Sequence, residues 1–380
     1  MAEGKSQFRL ADYDLVLLLM VVALTSFGIV MVYSASSVMA AKNFHDGAYF
    51  LKRQGLFALV GFSIAAVVMR VDYHHWRKLA VPALLVCLAL LVLVLIPEIG
   101  AKVKGASRWI RLPGFNLQPS EFAKIALILY MAYSLEKKCD KIKSLSYGFL
   151  PYMVVLTIML LLILKQPDLG AALTLAAVTV LMLFAAGTRL VFLLGTAMMA
   201  APIVAYLIFH SAYRLRRIKA FMNPEQDPTG IGWQIIQSKY AFGAGGLFGQ
   251  GLGEGKQKLF YLPEAHTDFI LSVVGEELGF VGVLVIVGMF FILIQRAMRI
   301  ALAARDPFGR FLALGIAVLF AIEAVVNMGV VTGLLPTKGL ALPFISYGGS
   351  SLLISLLAVG ILLNISSGLK LTPITEGAAS

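Results

Sequence analysis

Long apolar runs separated by short polar stretches dominate the chain, and their lengths say what they are. A segment of about 20 mostly apolar residues, with a range of roughly 17–25, crosses the hydrocarbon core of a bilayer. Ten runs meet this, at roughly 14–34, 55–71, 79–96, 121–135, 148–165, 169–187, 190–210, 269–295, 309–331 and 349–368. Glu121, Lys124 and Pro151 intrude on the fourth and fifth, whose ends are therefore the least defined. The pattern predicts an all-α polytopic membrane protein of about ten helices, with one large loop, about 211–268, between helices 7 and 8. No repeat of span length is evident, so residues 1–380 are expected to form a single membrane domain.

Composition agrees. Hydrophobic residues make up 59% of the chain and charged residues 14%, against about a quarter charged in soluble domains. The net charge of +12 suits anionic lipid surfaces and calls for no nucleic acid. Two cysteines, Cys87 and Cys139, are too few for a disulfide framework or a cysteine-based metal site. Lys5 and Arg9 precede the first apolar run as in a signal peptide, but the run is long enough to span, so an uncleaved first helix is expected.

Orientation follows from basic residues. With both termini cytoplasmic, the inner segments hold 15 Lys and Arg, Lys5, Arg9 and Lys370 among them, and the short outer loops 9, including Lys104. The excess places the termini inside and the 211–268 loop outside. The outer face then also carries a cluster of carboxylates and an unusual amount of positive charge.

The outer segments hold the candidate chemistry. In 211–223 (SAYRLRRIKAFMN) apolar residues at helical spacing alternate with Arg214, Arg216, Arg217 and Lys219, the pattern of a basic interfacial helix. It is either a lipid anchor or a cationic surface for a phosphorylated lipid. Beyond it, nine glycines between 230 and 255 interrupt a short helix at 233–240, whose Gln234, Gln237 and Ser238 share one face. That face suits sugar hydroxyls or hydrogen bonds within the loop. The glycines match neither a P-loop nor a dinucleotide fingerprint, so no organic cofactor is expected.

In 262–280 (LPEAHTDFILSVVGEELGF), Glu264, His266 and Asp268 precede the eighth span and Glu276 and Glu277 lie two turns into it. Charge there is costly, roughly 2.5–3.5 kcal/mol per residue near a helix centre. Asp268 reads either as a helix N-cap or as an ionised carboxylate serving as general base. Ser120 can cap the fourth span, Glu121 and Lys124 are spaced to pair, and Asp168 can cap the sixth. The segment 336–351 is too rich in Pro and Gly for a lipid-facing helix, so Lys338 is expected over a cavity.

Taken together, MVYSAS (31–36), GASRWI (105–110), QPSEFAK (118–124), QPDLG (166–170), YRLRRIKAFMNP (213–224), GWQIIQS (232–238), YLPEAHTDFILSVVGEELGF (261–280) and PTKGLALPFISYGGSS (336–351) resemble the SEDS family of shape, elongation, division and sporulation proteins. The last stretch is closest to the cell-division form, with the elongation and sporulation paralogues as alternatives. The resemblance implies a glycosyltransferase that polymerises lipid II outside the bacterial cytoplasmic membrane, at the division septum, beside a class B penicillin-binding transpeptidase and other division proteins. It makes Asp268 the catalytic carboxylate. Lys124, Arg214, Arg216, Arg217 and Lys338 are then candidates for the lipid diphosphate, together with a divalent cation (Mg or Mn) carried by the diphosphate itself. Gln234, Gln237 and Ser238 are candidates for the sugar. Glu121, Glu264, His266, Glu276 and Glu277 would support the site. A flippase or a non-catalytic scaffold are the rival readings.

Overall fold

The computed structural model describes residues 13–103, 106–112, 115–226 and 230–368; Lys5, Arg9, Lys104, Pro228 and Lys370 lie outside them. Helices stand at all ten predicted spans: α1 (Leu15–Phe44), α2 (Tyr49–Val68), α3 (His74–Leu93), α4 (Pro119–Lys138), α5 (Leu150–Lys165), α6 (Leu169–Ala185), α7 (Leu190–Phe209), α10 (Ile270–Ala303), α11 (Pro307–Val331) and α12 (Gly349–Ser367). Eight of the described helices are long and apolar enough to cross a membrane. The other two spans depart for visible reasons: α4 carries internal charge and α6 has only 17 residues. The protein is an all-α polytopic membrane protein, and two shorter helices, α8 (Ala212–Met222) and α9 (Ile231–Gly245), lie in the large loop.

Several ends differ from expectation. α1 runs ten residues past position 34 and stops only where His45 turns left-handed (φ 55°). α9 is nearly twice the predicted length. Ser120 does not cap α4: Gln118 holds the cap position, Pro119 follows it, and Gln118 Nε2 donates to Ser120 Oγ. Asp168 does cap α6, accepting from Ala171 N–H. Between α3 and α4 the chain forms an antiparallel sheet, β1 (Gly100–Val103), β2 (Ala106–Leu112) and β3 (Phe115–Leu117), in that order. It is pinned over α12 by Ser350, whose hydroxyl accepts from Gln118 N–H and donates to the Asn116 carbonyl.

α11 and α12 form the centre of the bundle; α12 buries most of its residues. α7 is its opposite, with Leu193 alone buried among its side chains. The end of the bundle where α1 begins is closed by polar clasps. Asp14 caps α1 through Leu17 N–H and is ion-paired with Arg296 of α10. Asn364 of α12 donates to the Met69 carbonyl and accepts from Tyr73 N–H.

α10 is broken near its start. Gly279 takes a left-handed φ of 67°, which interrupts the helical hydrogen-bond ladder where water is scarce. The loop after α9 repairs it. Phe280 and Val281 N–H donate to the carbonyls of Gly246 and Leu247, while the Glu276 and Glu277 carbonyls accept from Gln250 and Gly251 N–H. Buried backbone groups need partners, and here another segment supplies all four. The carboxylates of the same two residues hold the next turn of that loop. Glu276 accepts from Lys256 and Gln257 N–H. Glu277 pairs with buried Lys258 (2.7 Å) and accepts from Ser34 of α1 and Gly253 N–H.

So close an approach leaves no room for side chains. A Cβ on Gly249 would lie 2.1 Å from the Glu277 carbonyl oxygen. Gly249→Ala is expected to lower the thermal midpoint of the detergent-solubilised protein by the equivalent of about 1–3 kcal/mol. Gly195→Ala, where a Cβ meets nothing within 4 Å, should leave it unchanged. Equal midpoints for the two variants would mean that the loop does not clasp α10.

Candidate active site

The segment 264–269 makes a tight turn before α10. Glu264 is left-handed (φ 57°); its carbonyl accepts from Thr267 and Phe269 N–H, and its carboxylate from the Thr267 hydroxyl. α10 begins at Ile270, so the cap position falls to Phe269. Asp268 stands one residue earlier, outside the cap position itself.

Three consecutive carbonyls of this turn are each claimed by a different donor. His266 O accepts from Tyr347 N–H (3.0 Å), Thr267 O from Ser346 Oγ (2.6 Å) and Asp268 O from Asn327 Nδ2 (2.9 Å). The turn is thereby fastened to the irregular segment 332–348, which the sequence placed over a cavity. That segment needs the same kind of support: Phe344 is left-handed (φ 66°), and Gln54 of α2 donates to the Ser346 carbonyl. The His266 ring packs on Phe50 of α2, 4.7 Å between centroids.

The Asp268 carboxylate faces the backbone beside Lys338. A Cβ on Gly339 would come 2.6 Å from Asp268 Oδ2, and one on Gly170 would lie 3.2 Å from Lys338 Cε and 3.1 Å from Asp168 Oδ1. The start of α6, Lys338 and Asp268 therefore converge. Burial pushes the Lys338 ammonium down to about 8; the nearby Asp168 carboxylate opposes this and the Lys124 charge adds to it. Arg217 reaches the same segment from α8, donating to the Thr337 carbonyl at 3.0 Å. Lys124 is buried between Glu121 (2.8 Å) and Glu323 of α11. The predicted Glu121–Lys124 pair is thus present, with a second carboxylate added. Arg108 of β2 closes the outside of this region, donating to the carbonyls of Gln166 and Pro167.

Other candidates lie apart from this convergence. Arg214 donates to the Leu207 carbonyl at the end of α7 and Arg216 to that of Ala212 on its own helix, so both turn back along the preceding chain. Ser238 does not present a hydroxyl to a ligand: it is buried where α9 meets its neighbours, bonded to Ser272 Oγ and the Val331 carbonyl. Gln237 is buried on the same side and Gln234 is half-buried. The shared face thus packs α9 against α10 and α11. Glu276 and Glu277 hold the 250–258 loop and Lys258; their partners are neither Asp268 nor the α8 cations.

Sequence reading missed Glu323, Asn327 and Lys258. A signal for the first two was present, since both sit one turn apart inside an apolar span, where a polar side chain needs a partner. Lys258 looked like one loop cation among several. Among the described residues no three of His, Cys, Asp or Glu are grouped to hold a metal ion.

A family model described as "Cell cycle protein", covering FtsW, RodA and SpoVE, matches residues 14–371. A Trichlorobacter lovleyi protein named "Probable peptidoglycan glycosyltransferase FtsW" is 82% identical over 98% of this chain and 97% of its own. Stage V sporulation protein E of Bacillus subtilis is 45% identical over 93% of this chain and 96% of its own. A chain from a solved peptidoglycan synthase complex superposes with a TM-score of 0.77 at 30% identity, covering 94% of this chain and 98% of that one. The rod shape determining protein RodA of Thermus thermophilus superposes with a TM-score of 0.70 at 28% identity, covering 95% of this chain and 98% of its own. With a model match spanning nearly the whole chain and an FtsW relative at this identity, the protein belongs to the SEDS family and within it is most like FtsW.

Proposed function

We propose that this protein is a peptidoglycan glycosyltransferase that polymerises lipid II at the outer face of the bacterial cytoplasmic membrane during cell division, with Asp268 as general base. The observation that carries the reading is the juxtaposition of one carboxylate, Asp268, with the Lys338–Gly339 backbone. The FtsW relatives carry the same activity in their names.

The chemistry asks for little more. The anomeric carbon of the donor is α-linked to diphosphate and the product bond is β-1,4, so a single displacement inverts it. Asp268 takes the proton of the acceptor 4-hydroxyl as its oxygen attacks the anomeric carbon. The diphosphate leaves with the bonding electrons. Inverting glycosidases need a general acid for a poor leaving group; diphosphate needs charge neutralisation instead. Lys338 and Arg217 stand where they can supply it, Lys124 is held by its two carboxylates as part of the scaffold, and a divalent cation bound by the diphosphate would share the load. Arg214 and Arg216 would serve the interface of α8 with lipid. The polyprenyl tail would lie along the apolar flanks of the helices.

A flippase needs a polar path through the membrane, yet the buried face of α11 between Phe308 and Phe320 is apolar. At the inner end Asp14 and Arg296 already satisfy one another. In this reading both termini are cytoplasmic, and the outer loop meets a class B transpeptidase at the septum.

Two outcomes follow. With lipid II as substrate and the transpeptidase's crosslinking serine replaced, Asp268→Asn should keep the fold and lose on the order of 10²–10⁴-fold in polymerisation rate, the usual worth of a general base. A variant as fast as wild type would remove Asp268 from the reaction. Second, Lys338 is a cation below about pH 8 and neutral above it, so the rate should fall as pH rises through that range. Lys338→Arg stays charged, and its alkaline limb should move to higher pH. An unmoved limb would exclude Lys338 as its source.

A further inference from the structure

We infer that Asn327 is a positioning residue for catalysis, its amide nitrogen setting where the Asp268 carboxylate stands relative to the Lys338–Gly339 backbone. The inference rests on the reading of Asp268 as base. Asn327 lies on α11 one turn beyond Glu323, on the same face, and its side chain is buried. One amide hydrogen goes to the Asp268 carbonyl at 2.9 Å and the other to the Leu340 carbonyl at 2.7 Å. Leu340 directly follows Gly339, against which the Asp268 carboxylate lies. Two segments far apart in sequence are thus joined through a single nitrogen.

The other end of this amide makes the assignment sharper. Among the described residues Asn327 Oδ1 is buried without a hydrogen-bond partner. Reversing the amide would aim that oxygen at two carbonyl oxygens, so the nitrogen must face them. An unsatisfied buried acceptor is costly, which makes sense if the position is held for its two donors. Only an amide offers two hydrogens on one neutral nitrogen.

The remaining bonds explain why this contact, more than its neighbours, would set the geometry. The carbonyls of His266 and Thr267 are held by Tyr347 and Ser346, which belong to the same irregular segment as Lys338. Of these three carbonyls it is that of Asp268 that is bonded to a side chain of a membrane-spanning helix, and that helix also carries Glu323, the partner of Lys124. Base and buried cation are therefore both referred to one rigid rod. An error of about 1 Å in such an arrangement costs roughly a hundredfold in rate.

The test measures lipid II polymerisation by the purified protein with its transpeptidase, well below each variant's unfolding midpoint, with Asp268→Asn in parallel. Asn327→Ala should lose about tenfold to a hundredfold in kcat with KM little changed, and Asn327→Ser, which keeps one donor, should fall between it and wild type. Asn327→Asp decides the matter if the alanine variant fails to fold. Its neutral acid donates one hydrogen bond and its anion none, so its rate relative to wild type should drop from about pH 6 to about pH 8. Wild-type kcat in a folded Asn327→Ala protein, or a flat ratio for Asn327→Asp, would overturn the inference and leave Asp268 as base. An active Asp268→Asn would overturn the proposed function first, and this inference with it.

Discussion

Every buried backbone N–H and carbonyl in a bilayer-spanning protein must find a partner within the protein, and the end of this bundle where α10 begins is organised by that need. A reactive site requires chain that is not helical, because continuous helices offer no concavity and satisfy all their own groups. Here three irregular stretches, the 246–258 loop, the 264–269 turn and the 332–348 segment, share the space above the helices. The turn and the segment are bonded to each other and to Asn327 of α11, and the loop is bonded to α10. Gln250 and Gly251 repair the break at Gly279, Ser346 and Tyr347 hold the turn before α10, and Asn327 reaches both the turn and the segment.

The same constraint sorts the charges. Glu276 and Glu277 are deep in α10, and their carboxylates are consumed by Lys258 and loop N–H groups. Lys124 is caged between two carboxylates. Removing one partner of such buried pairs costs about 3–5 kcal/mol, so these groups are fixed parts of the scaffold. Asp268 and Lys338 differ in standing on irregular chain, and the Lys338 ammonium is partly destabilised by burial.

The membrane spans were legible in the sequence because span length is a strong constraint, and ten helices stand where apolar runs predicted them. Helix ends were less so. The extension of α1 past position 34 carries tertiary contacts such as Phe44 stacked on Tyr49 and Lys42 over the Phe260 ring, and periodicity carries no record of them. The sheet after α3 escaped notice because its strands are short and mixed in polarity. In the site, chemistry-bearing residue types were visible but their partners were not. Gln237 and Ser238 looked like a polar face for sugar and instead pack α9 into the bundle. Glu276 and Glu277 looked like helpers of Asp268 and instead hold a loop. Spacing shows which side chains share a face of their own helix; it does not show what that face meets.

The most direct test of the account is a structure of the Asp268→Asn protein with lipid II bound beside its acceptor. The account predicts the acceptor 4-hydroxyl within about 2.6–3.2 Å of the residue 268 side chain, and the donor diphosphate against Lys338 and Arg217. Diphosphate bound elsewhere on the outer face, with the acceptor hydroxyl out of reach of position 268, would contradict it.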